Sequence, residues 1–236
     1  MPETSNDAAP RIGGTGDVPL TVVRPDSRPR GSIVVLHRSH GLSPALRDFI
    51  ETLADDRWLV VAPEPTQDAR SAENAEQFGD EFYANVDATF RWIAGQGIGP
   101  DMIGVLGFDD AGTAALYVAA ERVVGAVVSV ASPGIVQTAQ GGTRSLADIV
   151  GSLRAPWLGL YGDDDPKTPP SEVAALREAA GRSDAPALVV SYEGLAHRPD
   201  EPPVVHDSLD PETDRAEAAI VDARRRIYDW FDTHLR

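Results

Sequence analysis

Short apolar, β-branched runs alternate with longer segments of helical period along nearly the whole of this 236-residue chain, and that alternation restricts the fold more than any other feature. The runs are Leu20–Val23, Ser32–His37, Trp58–Ala62, Met102–Leu106, Gly125–Val130, Trp157–Tyr161 and Ala187–Tyr192. Several are apolar throughout, as strands covered on both faces must be. The pattern predicts an α/β fold: a mostly parallel central sheet of about seven strands with helices on both faces.

The segments between the runs carry helix signals. Ser43 and Pro44 read as N-cap and first helical residue, with Leu46, Phe49, Ile50 and Leu53 on one face. Phe82, Val86, Phe90 and Ile93 mark a second helix, and a third starts near Thr168-Pro169-Pro170 and stops at Gly181. The last begins at Asp210-Pro211 and buries Ala216, Ala219, Ile220, Ala223, Ile227, Trp230 and Phe231. No linker-like composition divides the chain, so residues 11–236 are expected to form one domain behind a flexible tail over residues 1–10. The stretch Ala131–Ala155 exceeds a simple connection and has room for a short helix over Ser145–Leu153. It is too small for a large lid and would at most be a flap.

Lys+Arg 21 against Asp+Glu 37 gives a formal charge of −16, a field that repels nucleic-acid and anionic lipid surfaces. Nucleic-acid and membrane partners are therefore not expected. The chain has no cysteine, which removes disulfides, thiolate metal sites and a thiol nucleophile. Without a membrane-length apolar run or a signal-peptide pattern at Met1–Pro10, a cytoplasmic protein is expected. Nothing in the sequence specifies a number of subunits.

The chemistry concentrates at Gly107-Phe108-Asp109-Asp110-Ala111-Gly112, between the run ending at Leu106 and the helix-forming Ala114–Ala120. This is the layout of a nucleophile elbow, Gly-x-Nu-x-Gly, in which residues two away must be small for the backbones to pass. Gly107 and Ala111 are the small residues, so Asp109 takes the nucleophile position. Two further turns follow in the chain order of a hydrolase triad. After Trp157–Tyr161 comes Gly162-Asp163-Asp164-Asp165, with Asp165 as the orienting acid and Asp163 and Asp164 as fallbacks; after Ala187–Tyr192 comes Glu193 through Ala196-His197, with His197 as the base.

At these residues the chain resembles the dienelactone hydrolase family of the α/β-hydrolase superfamily, from about Arg30 to the C-terminus. The similarity rests on Val34-Val35-Leu36-His37 with Gly41-Leu42, Leu59-Val60-Val61-Ala62-Pro63, Gly104 through Phe108, Ala155-Pro156-Trp157 through Asp165, Ala196-His197, and Phe231 with His234-Leu235. The resemblance implies an α/β-hydrolase fold without a large lid, hydrolysis of esters or lactones, and no cofactor. Two departures stand out. The family elbow commonly reads Gly-Phe-Cys-x-Gly-Gly, whereas Asp109 replaces the cysteine and Ala111 the first paired glycine. Where family members often carry a glutamate after the Leu-His pair, this chain has Arg38.

An arginine near Asp109 favours its ionised form, so the carboxylate would be available without a base to activate it. Carboxylate nucleophiles suit alkyl carbons bearing a leaving group or a strained oxygen; attack gives an alkyl-enzyme ester that water activated by His197 then hydrolyses. That scheme resembles haloalkane dehalogenases and epoxide hydrolases, though their Gly-His-Asp-Trp sequence and large lid are lacking. Alternatively, Asp109 and His197 activate water directly on an ester or lactone, or Arg38 merely pairs with Asp109 in a catalytically inactive binding module. Backbone N–H groups of Ser39 and Asp110 would form the oxyanion hole, Ser39 reading equally as a loop-turn hydroxyl. Arg38 would otherwise anchor a substrate oxyanion. Arg198 would assist, although its place after His197 reads as an exposed position. No ligand spacing around His37 and His40 suggests a metal.

Overall fold

The structure, a computed structural model, describes residues 2–12, 16–37, 42–64, 79–139, 142–195, 198 and 211–235. An eight-stranded sheet runs through it in the order β1-β2-β4-β3-β5-β6-β7-β8. The strands are β1 (Glu3–Pro10), β2 (Asp17–Arg24), β3 (Gly31–Leu36), β4 (Trp58–Pro63), β5 (Ile103–Phe108), β6 (Ala126–Val130), β7 (Trp157–Gly162) and β8 (Ala187–Tyr192). β1 and β2 run antiparallel to their neighbours, and the pairings from β4 through β8 are parallel.

The helices are α1 (Pro44–Asp55), α2 (Asp80–Gly95), α3 (Asp110–Glu121), α4 (Leu146–Val150), α5 (Pro170–Ala180) and α6 (Pro211–His234). Because β3 to β7 are covered on both sides, every one of their residues is buried, and alternate side chains feed two cores. Val34, Leu59, Val105 and Val127 face the side packed by α2 to α5. Ile33, Val60, Leu106 and Val128 face α1 and α6. Ser43 caps α1 as its sequence suggests, its side chain accepting from the Leu46 N–H at 3.2 Å. Along α6 the fully buried stripe is Ala219, Ala223, Ile227 and Phe231, whereas Ile220 and Trp230 are half-exposed.

Residues 3–10, expected as a flexible tail, are instead edge strand β1, in continuous register from Glu3 opposite Arg24 to Pro10 opposite Asp17. The sequence hides this strand because Glu-Thr-Ser-Asn-Asp has no apolar alternation, and only Ala9 is buried. Backbone pairing and Arg24 hold it: the guanidinium bonds Asp7 at 2.7 Å and Ser5 at 2.5 Å.

The segment 131–155 is likewise no loose flap in its described part. Ile135, Leu146, Ile149, Val150 and Leu153 are core residues beside α3, and Leu146 N–H bonds the Gly134 carbonyl at 2.9 Å. α4 fills the short-helix slot, capped by Ser145. Among the described residues there is no large lid, and no helix is long and apolar enough to cross a membrane.

Tyr161, fully buried on β7, lies beside the hydroxyls of Ser129 and Ser132, and burial pushes its phenol well above the usual range against the pull of those two hydroxyls. Tyr83, pushed up to about 12 chiefly by burial and then by Glu121, adds to the same effect. Both groups keep their protons in the folded chain at pH values where the unfolded chain has released them. Their contribution to stability is therefore complete below about pH 10 and declines as pH rises through the folded values. Unfolding titrations at pH 9 and pH 11 are expected to show a drop, and Tyr161→Phe should flatten it by up to about 1.4 kcal/mol per pH unit.

Candidate active site

β5 ends at Phe108, paired with Val130 at the end of β6, so the next residue of each strand leaves the sheet at the same level. Both do so with positive φ although neither is glycine: Asp109 has φ 55° and ψ −129°, and Ala131 has φ 51°. Such backbone persists only where its surroundings over-determine it. At Asp109 they do. Its N–H donates to the Val130 carbonyl at 2.8 Å, and its own carbonyl accepts from Gly112 and Thr113 N–H at 2.9 and 3.1 Å, which starts α3. Behind the turn, the Thr113 hydroxyl donates to the Pro133 carbonyl at 2.7 Å.

The two small residues expected at this turn, Gly107 and Ala111, do meet backbone to backbone, and Gly112 is a further tight position. Ala111 is buried with its methyl accommodated, and the tight approaches fall at Gly107 and Gly112. A methyl group on Gly107 would sit 2.1 Å from the Ala111 carbonyl oxygen, and one on Gly112 2.1 Å from the Ser132 hydroxyl. The backbones thus cross between Gly107 and Ala111, as a Gly-x-Nu-x-Gly spacing implies, and the second tight approach is that of Gly112 to Ser132.

Arg198 is not exposed. Only 16% of its side chain is accessible; its Nη1 lies 3.6 Å from Asp109 Oδ2, and its guanidinium carbon stands 4.3 Å from the centre of the Phe108 ring. Phe108 is itself buried and packs edge-on against Phe49 at 6.3 Å. The residue preceding the elbow aspartate is thus the platform for its cation. No sequence spacing signals this, because it depends on how the connection after β8 folds.

Asp165 lies in the turn after β7 and is 2% exposed, its carboxylate accepting from the Lys167 N–H at 2.8 Å and its carbonyl from the Thr168 N–H at 3.2 Å. The fallback acids are placed differently. Asp163 spends a carboxylate oxygen on the Gly194 N–H at 2.8 Å, tying this turn to the one after β8, and Asp164 is exposed. Asp110 is the first residue of α3 and half-buried, where a carboxylate suits the helix dipole. His37 follows β3 and is half-buried. Arg38, Ser39, His40 and His197 lie outside the described residues, and among the described residues no group of three His, Cys, Asp or Glu could hold a metal.

Asp109, Asp165 and Arg198 thus follow β5, β7 and β8 at the carboxyl edge of one parallel sheet, with the aspartate on a strained strand-to-helix turn. Fold and turn together define an α/β-hydrolase. The family model described as Dienelactone hydrolase family matches residues 18–235, and the chain belongs to that family and is a hydrolase. A Salmonella typhimurium protein named "Putative carboxymethylenebutenolidase" is 26% identical over 232 residues, 91% of this chain and 82% of that one. Of solved structures, the "Putative Dienelactone Hydrolase" of Klebsiella pneumoniae superposes with a TM-score of 0.76 at 22% identity, covering 99% of this chain and 100% of that one. Dienelactone hydrolase from Anabaena variabilis gives 0.68 at 20%, covering 100% and 99%.

Proposed function

We propose that the chain hydrolyses a small organic substrate through a modified triad in which Asp109 is nucleophile or water activator, His197 the base and Asp165 the acid that orients it. The backbone of Asp109 carries this reading: φ 55° and ψ −129° set a carboxylate at the bend between β5 and α3, where this fold presents its nucleophile. Burial of Asp165 supports it as the orienting acid over its two neighbours. His197 immediately precedes Arg198 in the chain, and Arg198 touches Asp109. The oxyanion hole would be formed by the backbone N–H groups of Asp110, the first residue of α3, and of Ser39. Arg38 and Arg198 supply positive charge for the substrate's polar end. The reaction class is cleavage of an ester, a lactone or a carbon bearing a leaving group, without a cofactor. The name of the Salmonella relative supports the lactone.

A second reading has one observation behind it: the Arg198–Asp109 pair also suits a site that only binds. One experiment separates the readings. The protein is incubated with aryl esters, enol-lactones, epoxides and haloacids in water labelled with heavy oxygen. Label in the Asp109 carboxylate after many turnovers is the result expected for a covalent ester hydrolysed at its carbonyl. Turnover without that label means direct attack by water. Absence of turnover across the panel leaves the binding module.

A further inference from the structure

β8 is the last strand of the sheet, and among the described residues nothing pairs with its outer side. Its parallel pairing with β7 fixes which backbone groups that side presents. The Pro186 carbonyl accepts from the Trp157 N–H at 2.9 Å and the Tyr192 carbonyl from the Asp163 N–H at 3.1 Å, so the even-numbered residues of β8 turn their N–H and C=O groups towards β7. Those of Ala187, Val189 and Ser191 therefore point outward.

Sheets ordinarily guard such an edge with charge, proline or a covering element. β1, the opposite edge, carries Glu3 and Asp7, with Arg24 bonded to Asp7. β8 reads Ala-Leu-Val-Val-Ser-Tyr, with no charged residue and no proline, and Leu188 on it is 41% exposed. In a chain of net charge −16, this strand is a place where a second copy can approach without meeting like charge on the strand itself.

We infer that β8 is the interface of a symmetric dimer, pairing antiparallel with β8 of a second copy so that the two sheets become one. A two-fold axis perpendicular to the sheet keeps each face on its own side, so odd-numbered residues meet odd and even meet even. Centred on Val189, the axis uses all three outward residues. Val189 faces Val189 of the second copy and Ala187 faces its Ser191, each pair exchanging both N–H···O bonds. Leu188 then lies opposite Val190 of the second copy, and its exposed side chain is covered. The strand ends also favour the antiparallel sense. The exposed Asp184, just before β8, is carried to the end of the other strand where Arg177 donates to the Ser191 hydroxyl at 3.0 Å, and Glu193 falls opposite the uncharged Ala185. A parallel pairing would set Asp184 beside Asp184.

Sedimentation of the full chain should show a concentration-dependent equilibrium reaching the mass of two chains, with hydrogen exchange slowed at the amides of Ala187, Val189 and Ser191 as the dimer forms. Ser191→Pro removes an outward donor, and Leu188→Lys sets a charge in the seam. Neither disturbs a bond to β7, and each should weaken association by at least about tenfold. A positive readout comes from Leu188→Cys combined with Val190→Cys, which places thiols across a pair whose Cα atoms stand about 4.5 Å apart. Mild oxidation of this otherwise cysteine-free chain should then link two copies. A dimer that withstands both substitutions and forms no such link uses another face, and overturns the inference. So does a chain that stays monomeric at every concentration, whether its β8 amides exchange freely, are protected by the chain itself, or are protected by a foreign extended peptide bound there.

Discussion

Asp109→Asn is expected to reduce turnover of any accepted substrate by about a thousandfold or more, the scale of losing a triad member, while the protein stays folded. Asp109→Gly should lose the same turnover yet gain stability. The opposite signs arise at one residue because its backbone and its side chain do different things. The backbone at φ 55°, ψ −129° costs about 1–3 kcal/mol for a residue with a Cβ, and glycine occupies that region without strain. Against this stand about 0.5–1 kcal/mol for the greater freedom of glycine in the unfolded chain and less than about 1 kcal/mol for the partly exposed pair with Arg198. A net gain of about 1 kcal/mol raises Tm by about 2–4 °C in a chain of this size. Calorimetric melting and steady-state kinetics on the two variants check both halves. A glycine variant that melts lower than wild type removes the strain argument, and an asparagine variant that still turns over removes the role of the carboxylate.

What could be read from the sequence follows from which interactions are local. Continuous apolar runs such as Ser32–His37 and Trp157–Tyr161 announce strands buried on both faces, and the structure has β3 and β7 there. The Ser43-Pro44 start of α1 is equally legible, since a cap is a contact between residues three apart. β1 is not legible, because its stability comes from pairing with β2 and from Arg24, and its polar residues advertise neither. At the site, the offset from Gly162 that selects Asp165 picks out the buried one of the three aspartates, whereas the tight packing of Gly112 follows from where Ser132 lies, two residues beyond the end of β6. The partnership of Arg198 with Phe108 and Asp109 joins parts of the chain about ninety residues apart, beyond any motif.

That crossing is also where the largest loss of stability is expected. Gly107→Ala places a methyl 2.1 Å from the Ala111 carbonyl oxygen and 2.4 Å from its carbon, both backbone atoms of the first turn of α3. The helix cannot yield without dragging Asp109, whose N–H and carbonyl are bonded on both sides of the turn. Destabilisation of about 3 kcal/mol or more is therefore expected, a fall in Tm of roughly 6–12 °C, with activity lost because the carboxylate moves. Gly112→Ala meets a different obstacle. Its closest contact is the Ser132 hydroxyl at 2.1 Å, an atom that can rotate or be removed, followed by the Gly107 carbonyl at 2.9 Å. Its cost should be about 1–3 kcal/mol, and Ser132→Ala in the same chain should return part of it while leaving Gly107→Ala unrelieved. Urea unfolding of the two single and two double variants measures the difference. Equal relief of both glycine variants by Ser132→Ala would show that the hydroxyl, and not the α3 backbone, limits the turn.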